Sequence, residues 1–326
     1  MIYKTLAFFI LLGLFTSCNK TTLADRNVSV ATQKSKTISL QVAISATPKK
    51  FLFDATKAET AGNADWVIDE DNNIPKRIPT PLQSSITATT SESYWTGALS
   101  SWGIALVKLG HTVETLPSGT AITYGSTTNA QDLSKYDVYV VDEPNIRFTA
   151  AEKVAIINFV KNGGGLFMIS DHTVSDRNND GWDSPAIWND LMTNNTVQNN
   201  PFGLKIDLTN FSQTSTNVTT ISNPITNGTQ GNITGIKYSN GASATLTSGA
   251  AAKGLIWKTG SSQGLTNLMA AYSTYGTGRV MVICDSSPAD DGTGGTGNTL
   301  YPGWTDLSGN HSRLHLNASL WLAKLQ

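Results

Sequence analysis

Cysteine is nearly missing from this chain, with only Cys18 and Cys284 among 326 residues. Cys18 sits in a motif of its own near the N-terminus, so the body holds a single thiol and no internal disulfide can staple it. The fold must rest on its core. Cys284 ends the apolar run from Val280, which reads as a buried strand and an inert thiol. Charge is scarce as well. Asp, Glu, Lys and Arg make up 14% of the chain, and 23 basic against 24 acidic residues leave a net charge of −1. That excludes the basic footprint of a nucleic-acid binder. No G-x-S-x-G elbow occurs, and the glycines around residue 294 lack the lysine and helix of a phosphate cradle. No internal repeat is visible.

The N-terminus does carry a signal. Lys4 supplies positive charge, Leu6 to Phe15 is apolar but too short to cross a bilayer, and Thr16-Ser17-Cys18 follows. This resembles a bacterial lipoprotein signal, which implies removal of residues 1–17 and a lipid on Cys18. Residues 18–47, polar and without apolar period, then read as a tether. The expected location is the bacterial cell envelope, with the chain anchored in the outer or cytoplasmic membrane and facing periplasm or cell surface. Residues 48–326 read as one domain.

Within it, hydrophobic periodicity alternates between strand and helix. Lys49 to Asp54 is a short strand. Residues 57–90, with Pro75, Pro79 and Pro81, form a long loop. Trp95, Leu99, Trp102, Leu106 and Leu109 recur at three- and four-residue spacing and predict a helix over 93–109, stopped by Gly110. Strands follow at 112–116 and 138–141. Thr149 to Glu152 is a capping box opening a helix to about Lys161, and Leu166 to Ser170 is the next buried strand. Residues 200–275, rich in Thr, Asn and Gly, break the alternation and read as an antiparallel β-rich insertion. A last strand, 280–284, and a helix over 312–325 close the chain. The fold class is α/β: a doubly wound, mostly parallel sheet with flanking helices.

Several short motifs recur in the order of a known family. They are Val107-Lys108-Leu109-Gly110-His111-Thr112-Val113, then Gly163-Gly164-Gly165-Leu166-Phe167, Tyr275-Gly276-Thr277-Gly278-Arg279-Val280, and Asn317 to Ala323. Over residues 49–325 the chain resembles the class I glutamine-amidotransferase-like fold, in its ThuA-like branches. Amidotransferases carry a cysteine nucleophile after the glycine-led strand. Here that turn reads Ser170-Asp171-His172, which argues against glutamine hydrolysis.

The candidate site comes from where strands end. FLFD stops at Asp54, VYVVDE at Asp142 and Glu143, LFMISDH at Asp171 and His172, and VMVICD at Asp285. A parallel sheet brings its carboxyl ends to one edge, where ligands of open α/β sheets bind. Crowded carboxylates repel, so the cluster requires a cation or shared protons. Asp171, His172, His311 and Asp285 are the catalytic candidates. Asp176-Arg177-Asn178-Asn179-Asp180-Gly181 fits the first half of a calcium loop, although Ile187 stands where the bidentate Glu belongs. Asp54, Asp142, Asp176, Asn178, Asp180 and Asp183 are therefore the metal candidates, for a divalent cation and calcium first. Trp66, Glu143, Trp182, Asp290 and Trp304 are candidates for substrate contact. The expectation is a metal-assisted hydrolase acting on a glycan or another polymer-derived substrate. Its rival is a non-catalytic surface lipoprotein whose loops calcium stiffens around a glycan or other ligand.

Overall fold

The computed structural model describes residues 47–71, 74–298 and 301–326. The signal segment, Cys18 and all of the tether but residue 47 lie outside the described residues. The first half runs β1 (Lys50–Asp54), α1 (Ser100–Lys108), β2 (Thr112–Leu116), β3 (Val138–Asp142), α2 (Ala150–Lys161), β4 (Gly165–Ile169) and α3 (Ser184–Thr193). Short strands follow: β5 (Leu204–Ile206), β6 (Phe211–Ser215), β7 (Asn217–Val218), β8 (Asn227–Gly228), β9 (Gly231–Asn232), β10 (Ile236–Gly241), β11 (Ala244–Leu246) and β12 (Lys253–Trp257). β13 (Leu268–Tyr275), β14 (Gly278–Ile283) and α4 (His311–Leu322) complete it.

The main sheet has the order β2-β1-β3-β4-β14-β13-β11-β5, with β12 also on β13. The run from β2 to β14 is parallel, and β13, β12, β11 and β5 add antiparallel pairings. This is the expected α/β class, with the β-rich insertion forming one flank of the sheet. Strand order reverses between β1 and β3, and that is where a doubly wound sheet opens its crevice. Among the described residues no helix is long and apolar enough to cross a membrane.

The core forms around Trp102 of α1. Its ring lies edge-on to Phe53 at 5.3 Å and to Phe167 at 4.9 Å, and is T-shaped to His315 of α4 at 4.9 Å. Its indole N–H donates to Ser319 Oγ at 3.0 Å, which satisfies the one polar atom such burial would orphan. Trp102→Ala is therefore expected to cost about 3–5 kcal/mol through cavity and lost packing. Urea unfolding reads this, and a loss under 1 kcal/mol would show that α1 is not the keystone of this face.

Two helices differ from their sequence patterns. α1 begins at Ser100 rather than 93, although Trp95 is as buried as the pattern required. The preceding turn pairs with the long loop instead. Trp95 N bonds Ser100 Oγ, Thr96 N bonds Asp69, and Leu99 N bonds Val67 O. Gly97 permits this close approach, since a Cβ there would stand 2.4 Å from Val67 O. α3 was not anticipated at all. Asp183 caps it by accepting from Ala186 N, Pro185 follows at the first turn, and Ile187, Trp188, Leu191 and Met192 make its buried stripe. The capping box at Thr149 and Glu152 is present as read.

Candidate functional site

Side chains alternate across a strand, and paired residues of neighbouring strands point to the same face. Asp142 pairs with Ile169, and Ile169 with Ile283. Two residues beyond each of the latter lie Asp171 and Asp285, so all three acids belong to one face at one edge. Asp54 does not. Phe53 pairs with Val140, so Asp54 falls level with Val141, on the opposite face from Asp142. It lies against Glu59 and Tyr139 instead, and burial raises its pKa. The expectation that four strand ends share one crevice is therefore corrected to three, because of register.

Glu143 joins the three acids by an unusual route. Its φ is +46°, the left-handed region a non-glycine residue adopts only when its surroundings impose it. That twist directs the carboxylate, fully buried, onto Arg177. The guanidinium approaches Oε1 at 2.5 Å through Nε and Oε2 at 3.2 Å through Nη2, a two-pronged pair. Ser286 Oγ donates to the same Oε2 at 3.0 Å. Arg177 Nη2 also stands 3.5 Å from Asp171, and Nη1 donates to Asn63 at 2.7 Å. Asn145 fixes the Arg177 loop by accepting its backbone N–H at 3.0 Å.

One cation thus serves several buried acids, and they titrate accordingly. Asp171 is raised well above the carboxylate range by burial first and then by Glu143 and Asp285. Asp142 is raised by burial, then by Glu143, Asp285 and Asp290. Asp285 is pushed to about 7 by burial, although it accepts Ser239 N at 2.6 Å and Ser287 N at 2.8 Å. Asp290 is likewise pushed to about 7 by burial, while accepting Gly292 N and Tyr301 N. Near neutral pH the cluster holds protons. Asp142 is the extreme case, because neither of its oxygens has a hydrogen-bond partner. A buried polar group left so costs about 1–3 kcal/mol and calls for an explanation beyond stability.

The donor set is all oxygen, which suits a hard cation. Among the described residues, however, no three of His, Cys, Asp and Glu converge so as to hold a metal. Arg177 takes the place of positive charge. In the calcium-like loop, Asp176 accepts the amides of Asp180 and Gly181, and Asp180 that of Trp182. Asn178 Oδ1 also lies 3.4 Å from Asp180 N. Asp183 is spent on capping α3 and on Thr173 and Val174.

The remaining candidates separate clearly. His172 stands at the cluster, with Nε2 3.6 Å from Asp171. Its Nδ1 lies 2.6 Å from Thr173 O and 2.9 Å from the Asn210 side-chain amide nitrogen. His311 is held differently. Nδ1 donates to Gly303 O at 2.6 Å and Nε2 accepts from Lys237 N at 2.9 Å. Both ring nitrogens are committed to backbone and burial lowers its pKa, so it is corrected from proton shuttle to structural tie. Trp66 and Trp304 are buried at 2% and 4% exposure, which corrects them from open stacking platforms to packing residues. Arg147 covers the Trp182 ring at 4.3 Å.

Three important residues escaped the sequence reading. Arg177 occupied a spacer position of the calcium-like motif, and no pattern marks it as the charge partner of Glu143. Ser286 reads in the sequence as a weak nucleophile candidate without a G-x-S-x-G elbow, and nothing there marks it as a donor to Glu143. Tyr301 carries no motif, yet its hydroxyl feels Arg177, Asp171, Glu143 and Asp285. It lines a cleft of about 160 Å³ with Ser239 and Ser287, whose amides hold Asp285.

No family model and no curated protein matches the sequence. Among solved structures, the N-terminal domain of mmIFT52 is similar over 84% of this chain and 97% of its own, at 13% identity and a TM-score of 0.49. A cytoplasmic protein from Salmonella typhimurium aligns over 84% of this chain and 98% of its own, at 13% identity and a TM-score of 0.47. A putative ThuA-like protein from Bacteroides uniformis aligns over 85% and 92%, at 12% identity and a TM-score of 0.43. ThuA-like proteins are thus among the structural neighbours of this chain.

Proposed function

We propose that the chain is a lipid-anchored envelope hydrolase that acts on a glycan or other polymer-derived substrate by acid/base chemistry. The observation that carries this reading is Asp142 with its neighbours. Three strand ends crowd buried, proton-holding acids around a single arginine, beside a strained Glu143, at the edge where this sheet class binds ligands. Stability alone would not favour such a group. In the proposed reaction Asp171 gives its proton to the leaving oxygen as the glycosidic bond breaks. Asp285 takes a proton from the attacking water, whose hydroxyl ends on the sugar carbon. Arg177 and Glu143 keep Asp171 oriented, with His172 Nε2 3.6 Å away. Each turnover consumes one water; the proton gained by Asp285 then passes to solvent and Asp171 regains one from solvent, which restores both starting states.

Asp171→Asn keeps shape and burial but removes the donated proton, so turnover is expected to fall about 10²–10⁴-fold with the fold intact. His172→Ala should also lose activity while circular dichroism stays unchanged. Turnover of glycan and ester libraries by the soluble domain, with and without EDTA, is the measurement. Wild-type turnover in Asp171→Asn would sink the acid assignment. Calcium is proposed as a support of the 176–181 loop rather than as a participant in bond cleavage. It should raise the melting temperature, and Asp180→Ala should abolish that rise; a wild-type protein indifferent to calcium refutes this part.

A further inference from the structure

A second hollow lies on the antiparallel flank of the sheet, and its lining shares no residue with the acid cluster. It is an open groove of about 580 Å³ with Trp257 of β12 in its lining. A Cβ on Gly254 would stand 2.2 Å from that indole, so glycine lets the ring fold back across its own strand. The indole N–H donates to Gly264 O at 2.8 Å, which pins the 258–266 loop as one wall. Gln263 reinforces that wall, giving Nε2 to Asn217 Oδ1 and Val218 O at 3.0 Å each. The other wall is the 219–223 turn. There Thr219 N donates to Leu255 O at 2.8 Å, and Thr219 Oγ1 accepts Ile221 N at 3.2 Å. Both walls are thus tied to the sheet, and the groove is preformed.

Ile221 and Leu265 line this groove while exposing 76% and 46% of their surface, and packing gives no account of that exposure. Much of the polar lining is already bonded within the fold. Thr247 Oγ1 accepts from Asn200, and Asn223 Nδ2 donates to Ile221 O. Lys253 Nζ and Tyr272 Oη differ, for neither has a hydrogen-bond or ion-pair partner among the described residues. The two residues pair directly across β12 and β13, so their side chains stand together on one face. No Asp or Glu lines the groove, and Lys253 is its only charged group. An anionic head would meet an ammonium and a phenol there, beside an aromatic surface. Thr219 N, Leu246 N and Thr247 N are already given to backbone carbonyls, so at these points no donor is left for a peptide strand. We propose that the groove binds a small organic acid, its carboxylate on Lys253 and Tyr272 and its apolar body over Trp257. This site is independent of the hydrolase reading and stands whether or not that reading does.

Ligand-observed NMR titration of the full chain with 4-phenylbutyrate, 4-phenylbutanol and 4-phenylbutylamine tests this. The three share one apolar body and differ in the charge of the head. The acid is expected to bind about tenfold more tightly than the alcohol, and the amine more weakly than either. Lys253 is exposed, so Lys253→Met leaves the fold intact. It should bring the acid down to the alcohol's affinity while the alcohol is unchanged. Ile221→Ser, also at an exposed position, should weaken acid and alcohol alike. Equal affinities for the three, or an acid preference that survives Lys253→Met, would overturn the proposal. So would phenylbutyrate that fails to bind at about 10 mM. An acetylated hexapeptide ending in Phe that binds more tightly than phenylbutyrate would replace the small acid by a peptide terminus.

Discussion

Between pH 8.5 and pH 6.5 the folded chain is expected to gain about 3 kcal/mol of stability, the reverse of the usual decline toward acid. The sign follows from which state holds more protons. Burial, and then the charge of Glu70, pushes Asp65 to about 9, and burial pushes Asp285 and Asp290 to about 7. In the unfolded chain each of these ionises near 4. Over this window the native state therefore binds the extra protons, and its stability falls as pH climbs through those folded values. At about 1.4 kcal/mol per pH unit and group, Asp65 supplies most of the effect, with Asp285 and Asp290 adding less. Asp142, Asp171 and Glu59, raised chiefly by burial, act in the same direction. His111, His311 and His315 oppose it, because burial lowers all three and the unfolded chain protonates them below about 6.5. Maximum stability should accordingly fall near pH 5–6.5. Urea unfolding at the two pH values is the measurement, with Asp65→Asn flattening the difference. Stability that is level or rising with pH would mean that these acids are not held protonated.

How much of this was legible in the sequence depends on which physical signal each feature leaves. Core strands announced themselves, because β3, β4 and β14 are buried on both faces and read as unbroken apolar runs. The capping box of α2 is a local hydrogen-bond pattern and was equally plain. Parity was also available but needed register. Asp54 and Asp142 both end strands, yet only the pairing of Phe53 with Val140 reveals that they face opposite ways. α3 left a readable cap in Asp183 and Pro185, masked by a competing calcium-like pattern over the same stretch. The start of α1 could not be read locally, since Gly97 and Thr96 are claimed by the loop at 65–70, about 30 residues earlier in the chain. Arg177 is the clearest limit. Its partner Glu143 lies 34 residues away, and its meaning arises only when the turn after β3 rotates that carboxylate into place. His311 shows the converse. Its position beside the crevice suggested chemistry, and only its two backbone partners remove it.

Removing Arg177 should have the largest effect of any single substitution at the site. Arg177→Met leaves Glu143, fully buried, without its cation and supported by neutral donors such as the Ser286 hydroxyl, and is expected to cost about 3–5 kcal/mol. Arg177→Lys should recover little, because an ammonium cannot reproduce the fork that grips both carboxylate oxygens. The informative variant is the double one. Arg177→Met with Glu143→Gln removes both charges together, so most of the loss should return, to within about 1–2 kcal/mol of wild type. Stability would then be nearly restored while turnover stays absent, since Asp171 has lost the groups that orient it. Urea unfolding of the four proteins of the cycle, alongside turnover, separates the two roles. Additive single losses would mean that the pair is not coupled. Full activity in the double variant would mean that the arginine and its strained partner serve the fold alone. A buried ion pair replaceable without loss of stability, but not without loss of chemistry, is what a site maintained for function should contain.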